Sequence, residues 1–197
     1  MSKHSRRRTC VSRLGFSLVE SLAAISITTI AGTALLTAAT SAVQSTTESM
    51  RVAMAQGLAA QLLDETAAVR FPSSTSTRPT AGTPRAVFDE LDDFSVYSAK
   101  PPVDRNGQWI GVESRSLAGQ TVTRSAVLQG NATILARFTQ EVQVERVQPN
   151  VAGDWTVATA ETGYRRVTVR VKYTDSANGT KTVATATRIF SAVKMTP

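Results

Sequence analysis

The residues able to do chemistry in this chain are few and unevenly placed. Glu20 is the last charged residue before an uncharged run from Ser21 to Thr47. A second carboxylate group, Asp89, Glu90, Asp92, Asp93 and Asp104, sits near the middle. Hard oxygen ligands of this kind could hold calcium, which makes Asp89, Asp92 and Asp93 the calcium candidates. Their spacing lacks the alternate acids and sixth-position glycine of an EF-hand loop, so a solvated acidic turn is the competing expectation. As paired acids for hydrolysis they have no accompanying sign of a substrate cleft.

The single cysteine, Cys10, and the single histidine, His4, lie within the first 15 residues. If that segment is removed, the remainder can form no disulfide, Cys or His nucleophile, Ser-His-Asp triad or histidine-ligated metal site. No catalytic residue and no cofactor is expected.

The formal net charge of +7 would suggest nucleic acid or a membrane surface as partner. Yet Lys3, Arg6, Arg7, Arg8 and Arg13, with no acid among them, carry five of those seven charges. The rest of the chain is close to neutral. Arg166, Arg170, Lys172 and Arg188 could form a basic strand face, but without interleaved exposed aromatics a solvated face is preferred over a DNA-binding one. The same face could also meet an acidic neighbouring subunit.

These groups must be positioned by a chain of 197 residues, enough for one ordinary domain and an extension. Phe16 to Val43 is rich in Ala, Leu, Ile and Thr. At about 1.5 Å per residue it makes roughly 40 Å of helix, against a hydrocarbon core of about 30 Å. Its threonines can bond back to carbonyls one turn earlier, which makes them tolerable in lipid. The basic flank keeps the N-terminus cytoplasmic and sends the C-terminal domain across.

A secretory signal peptide fits the flanks, but the apolar run is longer than the usual ~7–15 residues and Glu20 interrupts its start. A twin-arginine signal would use Arg6 to Arg8, but the hydrophobic consensus that should follow is missing. A lipoprotein signal does not suit Cys10, which precedes the apolar stretch.

The stretch "GFSLVE", Gly15 to Glu20, placed after a short basic leader and before the uncharged run, resembles the prepilin signal of type IV pilins and type II secretion pseudopilins. The resemblance implies cleavage after Gly15 by a membrane prepilin peptidase and N-methylation of the new first residue, Phe16. It implies that Glu20, fifth in the mature chain, serves assembly or methylation rather than cleavage. A carboxylate in the bilayer needs a partner, and the Phe16 amine of a neighbouring subunit would supply one. A Glu20 that snorkels to lipid headgroups is the plainer alternative. Gly15 leaves the scissile backbone extended and unhindered.

Residues 44–70 contain no proline and favour helix, with Met50, Met54, Leu58 and Leu62 on one stripe and Ala53 and Gly57 between them. The helix is therefore expected to run on to about Arg70, as the spine of a globular domain rather than as a coiled-coil stalk. Pro72, Pro79 and Pro84 should end it in an exposed loop, 71–85.

Strands are expected at 120–128, 134–148, 155–160 and 181–193, and in "YRRVTVRVKY", where Val167, Val169, Val171 and Tyr173 alternate with polar residues. Asn178-Gly179 suits a hairpin turn. The expected fold is α+β and pilin-like: a leader (1–15), a membrane and assembly half of the helix (16–43), an amphipathic half (44–70), the loop, and a β-rich domain (86–197) with an antiparallel sheet.

The helical run and the late strand look like those of minor pilins and pseudopilins. Thr37 stands where many major pilins have proline. The partners implied are the peptidase, other pilin or pseudopilin subunits, the inner-membrane assembly platform and membrane lipid; nucleic acid is not expected. A DNA-binding minor pilin of a competence system and a signal-anchored exported protein of other function are the alternatives.

Overall fold

A computed structural model describes residues 17–73, 78–110, 114–117, 120–123, 134–177 and 179–192. The fold is α+β: one long helix, α1 (Leu18–Ala67), precedes an antiparallel sheet. The chain divides into two units, Met1–Glu48 and Ser49–Pro197.

In the first unit, α1 is uninterrupted through its threonine-rich apolar stretch. Ser26, Thr28, Thr29, Thr37 and Thr40 each donate a hydroxyl to the carbonyl four residues back, at 2.8–2.9 Å. Each hydroxyl is thereby satisfied within the helix, as the composition suggested. Among the described residues this is the one helix long and apolar enough to cross a membrane.

In the second unit, the end of α1 buries Ala55, Leu58, Ala59, Leu62, Leu63 and Thr66. This stripe is rotated from the expected one. Leu58 and Leu62 belong to it, whereas Ala53 and Gly57 are exposed and Met50 is 47% exposed. The small side chains of Ala55 and Ala59, not Gly57, let the helix approach the sheet. Gln140 joins the two layers, its Nε2 donating to the Leu58 carbonyl at 3.0 Å.

The main sheet runs in the order β1 (Ser98–Ala99), β4 (Phe138–Pro149), β6 (Tyr164–Asp175), β7 (Gly179–Ser191), with β5 (Trp155–Val157) also paired to β4. Two further strands, β2 (Ser114–Leu117) and β3 (Gln120–Thr123), form a separate hairpin. β4 starts four residues later than expected, because Ile134 and Leu135 lie in a helical turn. Val167, Val169, Val171 and Tyr173 of β6 face the core with Phe138 and Val142 of β4. The β6–β7 hairpin closes with Gly179 opposite Asp175; its φ of 72° is the left-handed value that glycine adopts without a Cβ clash. Asn178 lies outside the described residues.

Between helix and sheet, 3₁₀ turns at Arg85–Val87 and Leu91–Val96 fill the interval that the composition left without regular structure. Phe88, Leu91, Phe94 and Tyr97 enter the core from this segment.

Candidate functional site

The helix start is built by two residues that cap each other. Ser17 N–H donates to Glu20 Oε2 at 3.1 Å, and Glu20 N–H donates to Ser17 Oγ at 3.2 Å. This reciprocal pair is the capping box of a Ser-x-x-Glu sequence, and it satisfies two amides that otherwise have no partner at a helix N-terminus. The carboxylate also lies at the positive end of the helix dipole.

In an apolar medium such satisfaction matters most, because no water is present to replace it. Around the pair Leu18 and Val19 are 78% and 74% exposed, so the carboxylate stands amid uncovered apolar surface. The Ser17 hydroxyl was missed from sequence, although "SLVE" carries the capping signature. Gly15 and Phe16, on either side of the expected cleavage, lie outside the described residues.

The acidic segment is solvated only in part, with Asp89 exposed and Glu90 and Asp93 turned inward, and its acids do not converge. Asp93 and Glu90 are both 4% exposed. Asp93 Oδ2 accepts from the amides of Asp89 and Glu90 at 3.1 and 3.0 Å, and Glu90 accepts from the amide and hydroxyl of Ser73. Asp89 pairs with Arg70, and Asp92 with Arg165. Asp104 Oδ1 accepts from the amides of Asn106 and Gln108. Asp89, Asp92 and Asp93 therefore point to separate protein partners, and among the described residues no three acids gather where a metal could sit. The loop before them is also tied down at its ends: Phe71 lies under the Arg165 guanidinium, 5.2 Å from it, and Arg85 is buried.

The expected basic face divides between the two sides of the sheet. Arg188 pairs in register with Val167, on the core side, and reaches Asp64 of α1 at 3.2 Å. On the other side Arg166 binds Glu145 at 2.7 Å, Lys172 binds Glu141 at 2.6 Å, and Arg170 donates to Gln143 at 2.5 Å. Strand β4 thus neutralises Arg166 and Lys172, whereas Arg170 meets only the neutral amide of Gln143. A face with two of its three cations paired to acids offers phosphates less counter-charge than its sequence suggests.

Comparison of the chain with protein-family models, with curated proteins and with solved structures returns no match.

Two buried arginines were not anticipated. Arg165 is 1% exposed and donates to Asp92, Glu161 and the carbonyls of Thr162 and Tyr164. Burial alone would lower its pKa, but the hydrogen bonds to Asp92 and Glu161 and their charges outweigh it, and the pKa rises. Arg85, 3% exposed, donates to Glu65, the Tyr97 hydroxyl and the Val103 carbonyl. A signal for Arg165 was present, since it shares the alternation phase of Val167 and Val169. Arg85 had no such signal.

Proposed function

We propose that this chain is a minor pilin-type subunit, held in the inner membrane by α1 with its N-terminus cytoplasmic and its C-terminal domain outside. A prepilin peptidase cuts after Gly15 and N-methylates Phe16. The helix then assembles with other pilin or pseudopilin subunits, on the inner-membrane platform, into a type IV pilus or type II secretion pseudopilus. The observation that carries this reading is the "GFSLVE" junction directly before a helix of 50 residues.

The Ser17–Glu20 pair adds a physical reason for the junction. Cleavage would create an amine at Phe16, one residue before the amide that Glu20 already holds. The capping box thus keeps the carboxylate at the helix end, where an amine from a neighbour can meet it. In a low-dielectric bundle that attraction selects axial register. Thr37 in place of proline supports a smooth helix and a low-copy role.

N-terminal mass analysis of protein purified from cells tests the proposal. An N-methylated Phe16 is the expected result. Cleavage well beyond Ala39 would make the segment an ordinary signal peptide and overturn it. The competence reading has less support, because Arg166 and Lys172 are engaged by Glu145 and Glu141.

A further inference from the structure

The first cation after the uncharged run of α1 is Arg51, four residues beyond Thr47 and just inside the second unit. Its guanidinium lies over the Tyr173 ring, 4.1 Å from the centroid. Arg137 is exposed and donates through Nη1 to the Tyr173 hydroxyl at 3.3 Å. Lys100 is exposed too and donates through Nζ to Thr174 Oγ1 at 3.1 Å, while Lys181 stands opposite Tyr173 in the β6–β7 register. Basic side chains from α1, the segment after β1, the turn before β4 and the start of β7 thus meet around two consecutive residues of β6.

Acids are fewer at this end. Lys172 is matched by Glu141, which leaves Glu48 and Asp175, both already engaged, against Arg51, Lys100, Arg137 and Lys181. Among the described residues two positive charges therefore remain beyond what the carboxylates balance. The other end of β4 and β6 differs, because there Arg78, Arg146 and Arg165 face Asp92, Asp93 and Glu161. The excess belongs to the end at which the chain enters the unit.

Distance along the chain identifies the partner. The uncharged run from Ser21 to Thr47 makes about 40 Å of helix against a hydrocarbon core of about 30 Å. With Glu20 at one interface, Thr47 stands about 10 Å beyond the hydrocarbon at the other, and Arg51 about 6 Å further on. That places Arg51 at the outer edge of the headgroups, within one Debye length, about 8 Å, of their charge. The Arg51 stem packs against Tyr173, a geometry that leaves a long basic side chain free to turn its head towards lipid.

We propose that this end of the second unit rests on the bilayer surface and binds anionic phospholipid headgroups through Arg51, Lys100, Arg137 and Lys181. The inference rests on α1 spanning the membrane and is independent of assembly into a filament.

The test uses the full chain in nanodiscs that carry a trace of lipid with a nitroxide headgroup, read by NMR relaxation enhancement at backbone amides. Discs of phosphatidylcholine alone are compared with discs that also contain phosphatidylglycerol. The amides of Lys100, Arg137 and Lys181 should be enhanced at least twofold more in the anionic discs. The difference should vanish at ~1 M salt, where the Debye length is about 3 Å. Replacing Lys100, Arg137 and Lys181 together by Gln should return the enhancement to the phosphatidylcholine level, and the exposed Arg105→Gln should leave it as in the wild type. Arg51 is kept so that its packing on Tyr173 is intact, and unchanged circular dichroism establishes that each variant is folded.

Three results would overturn the inference: equal enhancement in both kinds of disc, a triple variant that behaves like Arg105→Gln, or enhancement as large at the Asn150–Asp154 turn, beyond the other end of β4. Extraction of cell membranes with alkaline carbonate separates this from the spanning reading. Release of the protein into the supernatant sinks both, whereas retention in the pellet with equal enhancement sinks the headgroup contact alone.

Discussion

Ser17 and Glu20 exchange hydrogen bonds at the first turn of α1, each side chain accepting from the other's backbone amide. Glu20 therefore has a role inside its own helix as well as the proposed one between subunits, and substitutions can separate the two. Ser17→Ala removes one half of the box and should cost about 1 kcal/mol of helix-start stability while leaving assembly largely intact. Glu20→Gln keeps the acceptor oxygen but loses the charge, so it should preserve the cap and abolish assembly. Amide exchange at residues 17–21 and sheared-filament yield measure the two effects. Normal filaments from Glu20→Gln would leave the charge without a function.

Asp92 and Arg165 make the second test. The guanidinium is almost fully buried, and Asp92 meets its Nε at 2.8 Å. Asp92→Ala leaves the Arg165 Nε without its acceptor but keeps Glu161 and two carbonyls on the guanidinium, so it should destabilise the sheet-bearing unit by about 2–3 kcal/mol. Replacing Glu161, which is 62% exposed, should cost about 1 kcal/mol or less. Urea unfolding of the two variants, compared at constant m-value, checks the ranking.

Alkaline stability should report on Tyr97. Burial raises its pKa, with Arg85 opposing and Glu65 reinforcing the rise. The unfolded chain therefore releases this proton first, at the ordinary tyrosine value of about 10. The associated stability is fully present below that pH and is lost as pH climbs towards the raised folded value. Tyr97→Phe should flatten this part of the alkaline limb and lower stability at neutral pH by about 1 kcal/mol through lost hydrogen bonds. Melting temperatures from pH 8 to 11 would show it; an unchanged alkaline slope would count against the assignment.

DNA retention should depend on the acids of β4. Wild-type protein is expected to elute from immobilised DNA at low salt, because Glu141 and Glu145 occupy Lys172 and Arg166. Glu141→Gln with Glu145→Gln should free both cations and move elution to higher salt. Retention of the wild type that survives ~0.2 M salt and disappears in Arg166→Ala would favour the competence reading instead.

Much of the architecture was legible because it depends on local pattern. Residues 18–67 are helical because the segment has no proline and its hydroxyls can bond within the helix. β6 is a strand because Val167, Val169 and Val171 recur at period two on the buried face. The helix stripe was only half legible: Leu58 and Leu62 were identified, but whether Ala59 or Gly57 lies beneath the sheet depends on helix rotation, which packing sets. The mutual cap of Ser17 and Glu20 is local and readable in the Ser-x-x-Glu spacing itself.

The sequence alone determined the long apolar helix, its single early carboxylate, the absence of histidine and cysteine beyond residue 15, and the strand-rich second half. Only the tertiary structure decided what the charges do. Arg166 and Lys172 look cationic in a row of letters, but antiparallel register brings Glu145 and Glu141 against them. Asp92 looks like a metal ligand beside Asp93, yet the fold turns one towards Arg165 and the other towards the amides of Asp89 and Glu90. Composition counts charges, whereas the acids that meet Arg166, Lys172, Arg165 and Arg188 from 21, 31, 73 and 124 positions away do so only once helix, 3₁₀ turns and sheet have packed together.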